Sequence, residues 1–215
     1  MIISLGGQKG GTGKTTLAVC LAAWWHSCGL RGLLCDADPQ RSVLTWGEQA
    51  QEAGHSAPTI MALGADLWRQ EQLPSLAQNY DRVVIDTPPR LGAIQRAALL
   101  ASDVAVIPWR PGPSDAWALA ETLEVIETAR GLRSDLLAVA LLAQVDARTA
   151  MGRGARAALS DCGLHVLEAS IGLRVSYAEA LAMGQGVTEY APASVAAEEI
   201  KALVGELEAL VGKDR

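Results

Sequence analysis

Apolar residues along this chain fall into two alternating kinds of segment. Short, largely apolar runs bounded by turn residues occur at 2–5, 30–35, 59–63, 80–86, 103–109, 136–142 and 164–168; their length and continuity predict buried strands. Between them lie longer stretches whose apolar residues recur every three to four positions. These predict helices at 14–28, 42–53, 66–78, 91–101, from about 114 to 130, at 149–162 and near 175–183, and a last one that places Ile200, Leu203, Val204, Leu207, Leu210 and Val211 on one face. Gly29 and Gly184 read as left-handed stops, and Ser42 and Ser114 as N-caps. Strands that are apolar on both sides of the pleat, joined by segments of helix length, belong to a parallel sheet covered on both faces. The expected fold is therefore α/β, a doubly wound, mostly parallel sheet. No repeat, low-complexity tract or linker divides the chain, so one domain over 1–215 is expected.

Composition narrows the class. Half of the 215 residues are hydrophobic, yet no apolar run reaches membrane-spanning length, and Met1 leads directly into a strand rather than a leader. A cytoplasmic protein is expected. Cys20, Cys28, Cys35 and Cys162 show no C-x-x-C spacing and lie in apolar or helical stretches, which predicts buried free thiols rather than zinc ligands or disulfides. A net charge of −6 argues against a strongly basic nucleic-acid binder. The basic residues are unevenly spread, however. Of four lysines, two are Lys9 and Lys14, and Arg148, Arg153, Arg156 and Arg174 face only Asp161 and Glu168 in the same stretch.

The chemistry begins at Gln8-Lys9-Gly10-Gly11-Thr12-Gly13-Lys14-Thr15-Thr16, between the first strand and the first helix. Glycines at 10, 11 and 13 let successive N–H groups point inward at phosphate oxygens, and the helix start adds the positive end of its dipole. Lys14 supplies a fixed charge for β- and γ-phosphates, and Thr15 a hydroxyl for Mg²⁺. The full G-x-x-x-x-G-K-[ST] pattern is not met, because Gln8 stands at its first position. Two further acids suit such a site. Asp86 ends an apolar strand before Thr87-Pro88-Pro89, where it can hold Mg²⁺ opposite Thr15. Asp36 and Asp38, two residues apart, would point the same way on an extended backbone.

The stretch K-G-G-x-G-K-T-T at 9–16 resembles the deviant P-loop of the ParA/MinD family of dimeric ATPases. D-x-D-P-Q at 36–40 is similar to that family's switch signature. Ala101-Ser102-Asp103-Val104, the Pro-rich loop at 111–113, Val145-Asp146-Ala147-Arg148-Thr149 and Tyr190-Ala191-Pro192 extend the likeness over nearly the whole chain. It is nearest to the short ParA-type proteins that lack an N-terminal DNA-binding extension.

This resemblance implies a P-loop ATPase domain that hydrolyses ATP with Mg²⁺. Residues Gly10 to Thr16 would cradle the phosphates, with Lys9 reaching the ATP of the other subunit of a sandwich homodimer. Asp38 would position or activate the attacking water, and Asp36 would support a metal held by Thr15 and Asp86. Where the family commonly has Asn-Arg to frame adenine, this chain has Ala143-Gln144; Gln144 can offer an amide to the base, with Tyr190 and Pro192 as its other wall.

The implied function is a switch that positions cargo, whether plasmid, chromosome, carboxysome or chemoreceptor cluster. The ATP dimer would bind DNA of the nucleoid without sequence preference, through Arg148, Arg153, Arg156, Arg174 and Lys201. A ParB-like or other adaptor would trigger hydrolysis. A MinD-like membrane-associated switch is an alternative, but such proteins end in a basic amphipathic helix, and Glu206 and Glu208 give this tail the wrong charge. Another is a P-loop biosynthetic enzyme, for which Arg41, Arg110 and Asp115 could bind a small substrate. An iron–sulfur relative is disfavoured, since no cysteine closely follows Asp86.

Overall fold

The computed structural model describes residues 1–63, 72–89, 92–111, 115–145 and 149–213. Seven strands, β1 (Ile2–Leu5), β2 (Gly32–Asp36), β3 (Thr59–Ala62), β4 (Arg82–Asp86), β5 (Val104–Trp109), β6 (Leu137–Ala143) and β7 (His165–Ile171), form one sheet in the order β3-β2-β4-β1-β5-β6-β7. Every pairing is parallel. All strands therefore end at one edge, with β1 at the centre of the order, the position where open α/β sheets place their ligands.

The helices are α1 (Lys14–Ser27), α2 (Ser42–Glu52), α3 (Gln72–Ala77), α4 (Ala93–Ala101), α5 (Asp115–Leu132), α6 (Ala150–Asp161), α7 (Val175–Ala182), α8 (Val187–Tyr190) and α9 (Val195–Lys213). The strand period of two sorts them to two faces. Ile3, Leu5, Val104, Val106, Val139 and Leu141 pack with residues of α1, α2, α7, α8 and α9. The alternate residues Ala105, Ile107, Ala138, Ala140 and Leu142 pack under Leu99, Ile126 and Leu159 of α4, α5 and α6. Leu33, Cys35, Val83 and Ile85 do the same under Leu73 of α3 and Ala98 of α4. The apolar stripe of α9 is spent on this core: Ile200, Leu203 and Leu207 are fully buried, together worth on the order of 5–8 kcal/mol.

Several element ends differ from those the sequence predicts. Ser42 is the first residue of α2 rather than its cap, and its side chain caps nothing. The free N–H groups of Val43 and Leu44 are taken by the carboxylate of Asp36, seven and eight residues back. Strand β7 runs three residues beyond the predicted end at 168, and the short helix α8 was not foreseen. The expected helix at 66–78 is described only from Gln72 to Ala77, and the proposed cap Ser114 lies outside the described residues.

Gly29 does take the left-handed conformation that stops α1, with φ 81°. All four cysteines are free, but only Cys20 and Cys35 are buried. Cys28 and Cys162 are exposed because each immediately precedes a left-handed glycine, Gly29 or Gly163, where the chain leaves its helix.

Candidate functional site

The loop between β1 and α1 departs from the centre of the sheet edge. Its backbone bends through left-handed glycines, Gly7 at φ 122°, Gly11 at 73° and Gly13 at 91°, conformations that a Cβ disfavours. Lys14, the first residue of α1, is buried to 6% exposure and its Nζ donates to the Lys9 carbonyl at 3.0 Å. Burial pulls the ammonium pKa below its ordinary value, and the nearby Asp86 and Asp38 carboxylates oppose that shift. Thr12 is also buried; Thr15 and Thr16 follow in the first turn of α1, half-buried.

Strand register brings the acids to this loop. Asp86 at the end of β4 is paired with Leu5 of β1 on one side and Asp36 of β2 on the other. Its Oδ2 accepts a 2.7 Å bond from the Thr15 hydroxyl, while its buried Oδ1 has no hydrogen-bond partner. Burial pushes the carboxyl up to about 7, against the bond from Thr15. A buried carboxylate oxygen left unmatched beside a hydroxyl suits a hard cation. No group of three or more His, Cys, Asp or Glu able to hold a metal alone occurs among the described residues. Asp86 beside the Thr15 hydroxyl is a donor set that suits Mg²⁺, which is commonly held through one or two carboxylates together with substrate phosphates.

Asp36 is differently placed. Its Oδ1 accepts from the Asp38 N–H and its Oδ2 from Val43 and Leu44, so both oxygens are committed to backbone. Burial raises its pKa and these three bonds partly offset the rise. The expectation that Asp36 and Asp38 point the same way on an extended chain does not hold. Strand β2 ends at Asp36, and Asp38 turns its Oδ1 back onto the Gln40 N–H at 2.9 Å. Asp38 is half-exposed beside the loop, close enough to Lys14 and Asp86 to act on their ionisation.

Two glutamines stitch the loops together. Gln95 of α4 is 1% exposed, and its Nε2 reaches the carbonyls of Gly7 at 3.1 Å and Pro88 at 3.3 Å. Thr87 bonds the Leu5 carbonyl at 2.6 Å. Sequence reading passed over Gln95; the available signal was a polar residue on the buried face that also carries Ala98 and Leu99. Gln144, at the end of β6, donates from Nε2 to the Gly11 carbonyl at 2.7 Å and accepts at Oε1 from Arg110 at 3.1 Å.

The other described candidate residues lie on or beside α6 to α9. Tyr190 ends α8, half-buried against the core, and Pro192 is exposed, its carbonyl accepting from Lys201. The basic residues expected to gather as a patch arrive engaged. Arg174 forks onto Glu199 at 2.6 and 2.9 Å, Lys201 pairs with Glu198 at 2.7 Å, and Arg156 caps the carbonyls of Leu167 and Glu168. For Arg174 and Lys201 the cause is the acidic content of α9, which supplies Glu199 and Glu198; Arg156 is held instead by β7. Arg153 is exposed on α6, and Arg148 lies outside the described residues.

Comparison with known proteins fits this geometry. The family model of the CobQ/CobB/MinD/ParA nucleotide-binding domain matches residues 3–187. The maintenance of carboxysome distribution protein A of Halothiobacillus neapolitanus is 34% identical over 209 residues, covering 95% of each chain. The chromosome-partitioning ATPase Soj of Thermus thermophilus is 30% identical, covering 97% of this chain and 96% of that one. Among solved structures, the septum site-determining protein MinD of Pyrococcus horikoshii, complexed with Mg-ADP, superposes with a TM-score of 0.73 at 21% identity, covering 100% of this chain and 98% of that one.

Proposed function

The chain belongs to the CobQ/CobB/MinD/ParA nucleotide-binding family, and from that premise we propose that it is an ATP-dependent dimerising switch that positions an intracellular cargo. The observation that carries this reading is the convergence of Lys14, Thr15 and Asp86 on one loop, with a buried carboxylate oxygen of Asp86 unmatched. Relatives named for carboxysome distribution and chromosome partition, matched over almost their whole length, support cargo positioning over small-molecule chemistry.

The residues divide the work. Lys14 exchanges its bond to the Lys9 carbonyl for phosphate oxygens, and the glycine-bent backbone supplies N–H donors around them. Thr15 and Asp86 hold Mg²⁺, which neutralises charge on the phosphates. Asp38, next to the loop and half-exposed, orients the attacking water. Lys9 serves the nucleotide of a second copy, as a cation supplied in trans. Because Asp36 joins the end of β2 to the first turn of α2, movement at the phosphates is passed to that helix.

Non-specific DNA is the matrix and an adaptor protein the trigger of hydrolysis. The test is size-exclusion chromatography with light scattering in ADP and in a non-hydrolysable ATP analogue, beside ATPase turnover. A dimer with the ATP analogue and a monomer with ADP is the expected pair. The same mass in both states, or turnover that requires a small-molecule acceptor, overturns the reading.

A further inference from the structure

Gln144 is one of two non-glycine residues with positive φ, at 57°, among the described residues. The left-handed region is unfavourable for a residue with a Cβ, and it persists where surrounding contacts hold it. Here the contacts are plain. The carboxamide reaches back to Gly11, itself left-handed at φ 73°, and is met from the other side by Arg110, the residue after β5.

We propose that Gln144 and Arg110 are positioning residues of the phosphate loop. Gln144 pins the Gly11 carbonyl, Arg110 sets which way round the Gln144 amide lies, and the pair tunes phosphate binding without reading the base. This rests on the nucleotide reading of the site.

The argument is one of donors and acceptors. In a trans peptide the C=O of Gly11 and the N–H of Thr12 point in opposite directions. A donor fixed on the Gly11 oxygen therefore turns the Thr12 N–H to the other side of the loop. Without that anchor, Gly11, which has no Cβ, leaves this peptide plane freer to rotate from its own side, with Thr12 the one residue restraining it from the other.

The carboxamide has two ends of nearly equal shape, and its partners decide the orientation. A guanidinium only donates and a carbonyl only accepts. Arg110 on Oε1 and Gly11 on Nε2 are satisfied by one orientation alone; the reverse sets oxygen against oxygen and N–H against N–H. Both polar atoms of Gln144 are thus engaged before a ligand arrives. That is a different task from framing adenine.

The experiment titrates the full chain with fluorescent ATP and GTP analogues in Mg²⁺. Gln144→Ala is expected to weaken both by the same factor, roughly five-fold, as for loss of one hydrogen bond. The ATP-to-GTP affinity ratio should stay within about two-fold of the unmutated protein. Arg110→Ala should move both in the same direction and Arg110→Lys should restore them, because lysine also only donates. Gln144→Glu should be the weakest, since a carboxylate would face the Gly11 carbonyl.

A ratio that shifts about ten-fold in Gln144→Ala would reveal a base contact and overturn the proposal. So would full-strength binding by that variant, or an Arg110→Lys as weak as Arg110→Ala. Failure of the unmutated protein to bind either analogue would instead overturn the nucleotide reading, and the positioning role with it.

Discussion

Asp36 and Asp86 are register partners on the adjacent parallel strands β2 and β4, two carboxylates side by side at one sheet edge. Their surroundings separate their roles. Asp36 spends both oxygens on three backbone N–H groups and thereby caps α2, whereas Asp86 takes one hydroxyl and keeps a buried oxygen unmatched. The first is a structural link between the site and a helix, and the second is the group with capacity left for a cation.

The raised pKa of Asp86 gives the first prediction. Its folded value of about 7 lies above the ordinary 3.8; the folded chain therefore holds this proton more tightly than the unfolded one. The group's contribution to stability is present at low pH and is lost as pH rises through about 7. At about 1.4 kcal/mol per unit, that contribution is on the order of 4 kcal/mol. Without ligand, this contribution should be lost between about pH 4 and 7, so thermal stability should fall across that window, and Asp86→Asn should flatten the profile. Mg²⁺-nucleotide binding near pH 6.5 should release a proton, measurable by calorimetry in buffers of different ionisation enthalpy. Binding with no proton release at that pH would show that Asp86 does not carry a proton that the metal displaces.

Lys9 and Asp38 should fail in opposite ways. Lys9→Ala is expected to bind ATP and remain monomeric, because its proposed task is on the nucleotide of a second copy. Asp38→Ala should accumulate an ATP-bound dimer that turns over at least about a hundred-fold slower, within the range seen for loss of general-base assistance. Sedimentation with ATP, paired with phosphate release, separates the two. Normal turnover by either variant places that step on another residue.

Gly184 should not tolerate a side chain. It ends α7 at φ 68°, and a Cβ there would lie 2.5 Å from the Ala50 nitrogen and 2.6 Å from its Cα, both backbone atoms of α2. Backbone cannot step aside as a flexible side chain does. Gly184→Ala should cost about 3 kcal/mol, seen as a fall of roughly 6–12 °C in Tm. Gly54, also left-handed at φ 73° but with nothing within 4 Å of an added Cβ, is the control for the φ effect alone. Similar losses at both positions would show that the close approach contributes nothing.

Much of this was legible in the sequence because the signals are local. Seven apolar runs of strand length stand where β1 to β7 form, and the glycines and Lys14 of the phosphate loop announce their chemistry by spacing alone. What could not be read is set by contacts distant in sequence. Strand order follows from packing, and the Asp36 cap of α2 displaces the one expected from Ser42. The Gln144 bond to Gly11 spans 133 residues. Gln95 was hidden because a lone glutamine on an apolar helix face declares no partner. Within the basic stretch, the engagement of Arg174 could not be read because the acid that meets it, Glu199 on α9, comes 25 residues later.

Those acids shape the last prediction, on DNA. An acidic chain gains affinity for a polyanion only where cations act without local compensation. Arg174 is the informative case: it forks onto Glu199, whose side chain is only 14% exposed and also accepts from the Gly172 N–H and the Tyr177 hydroxyl. Bound to Glu199, Arg174 presents a phosphate with a neutral pair. Glu199→Gln keeps the shape and removes the opposing charge. If this face contacts DNA, that change should strengthen ATP-dependent binding, and Arg174→Glu should abolish it while leaving nucleotide affinity intact. Each phosphate contact contributes about 0.9 to the slope of log affinity against log salt. In a dimer, where the contact occurs twice, Arg174→Ala should lower that slope by about two, read from DNA binding at a series of salt concentrations with the ATP analogue. Unchanged slopes in both Arg174→Ala and Glu199→Gln would remove this face from the interface and leave the exposed Arg153 on α6 as the cation to examine next.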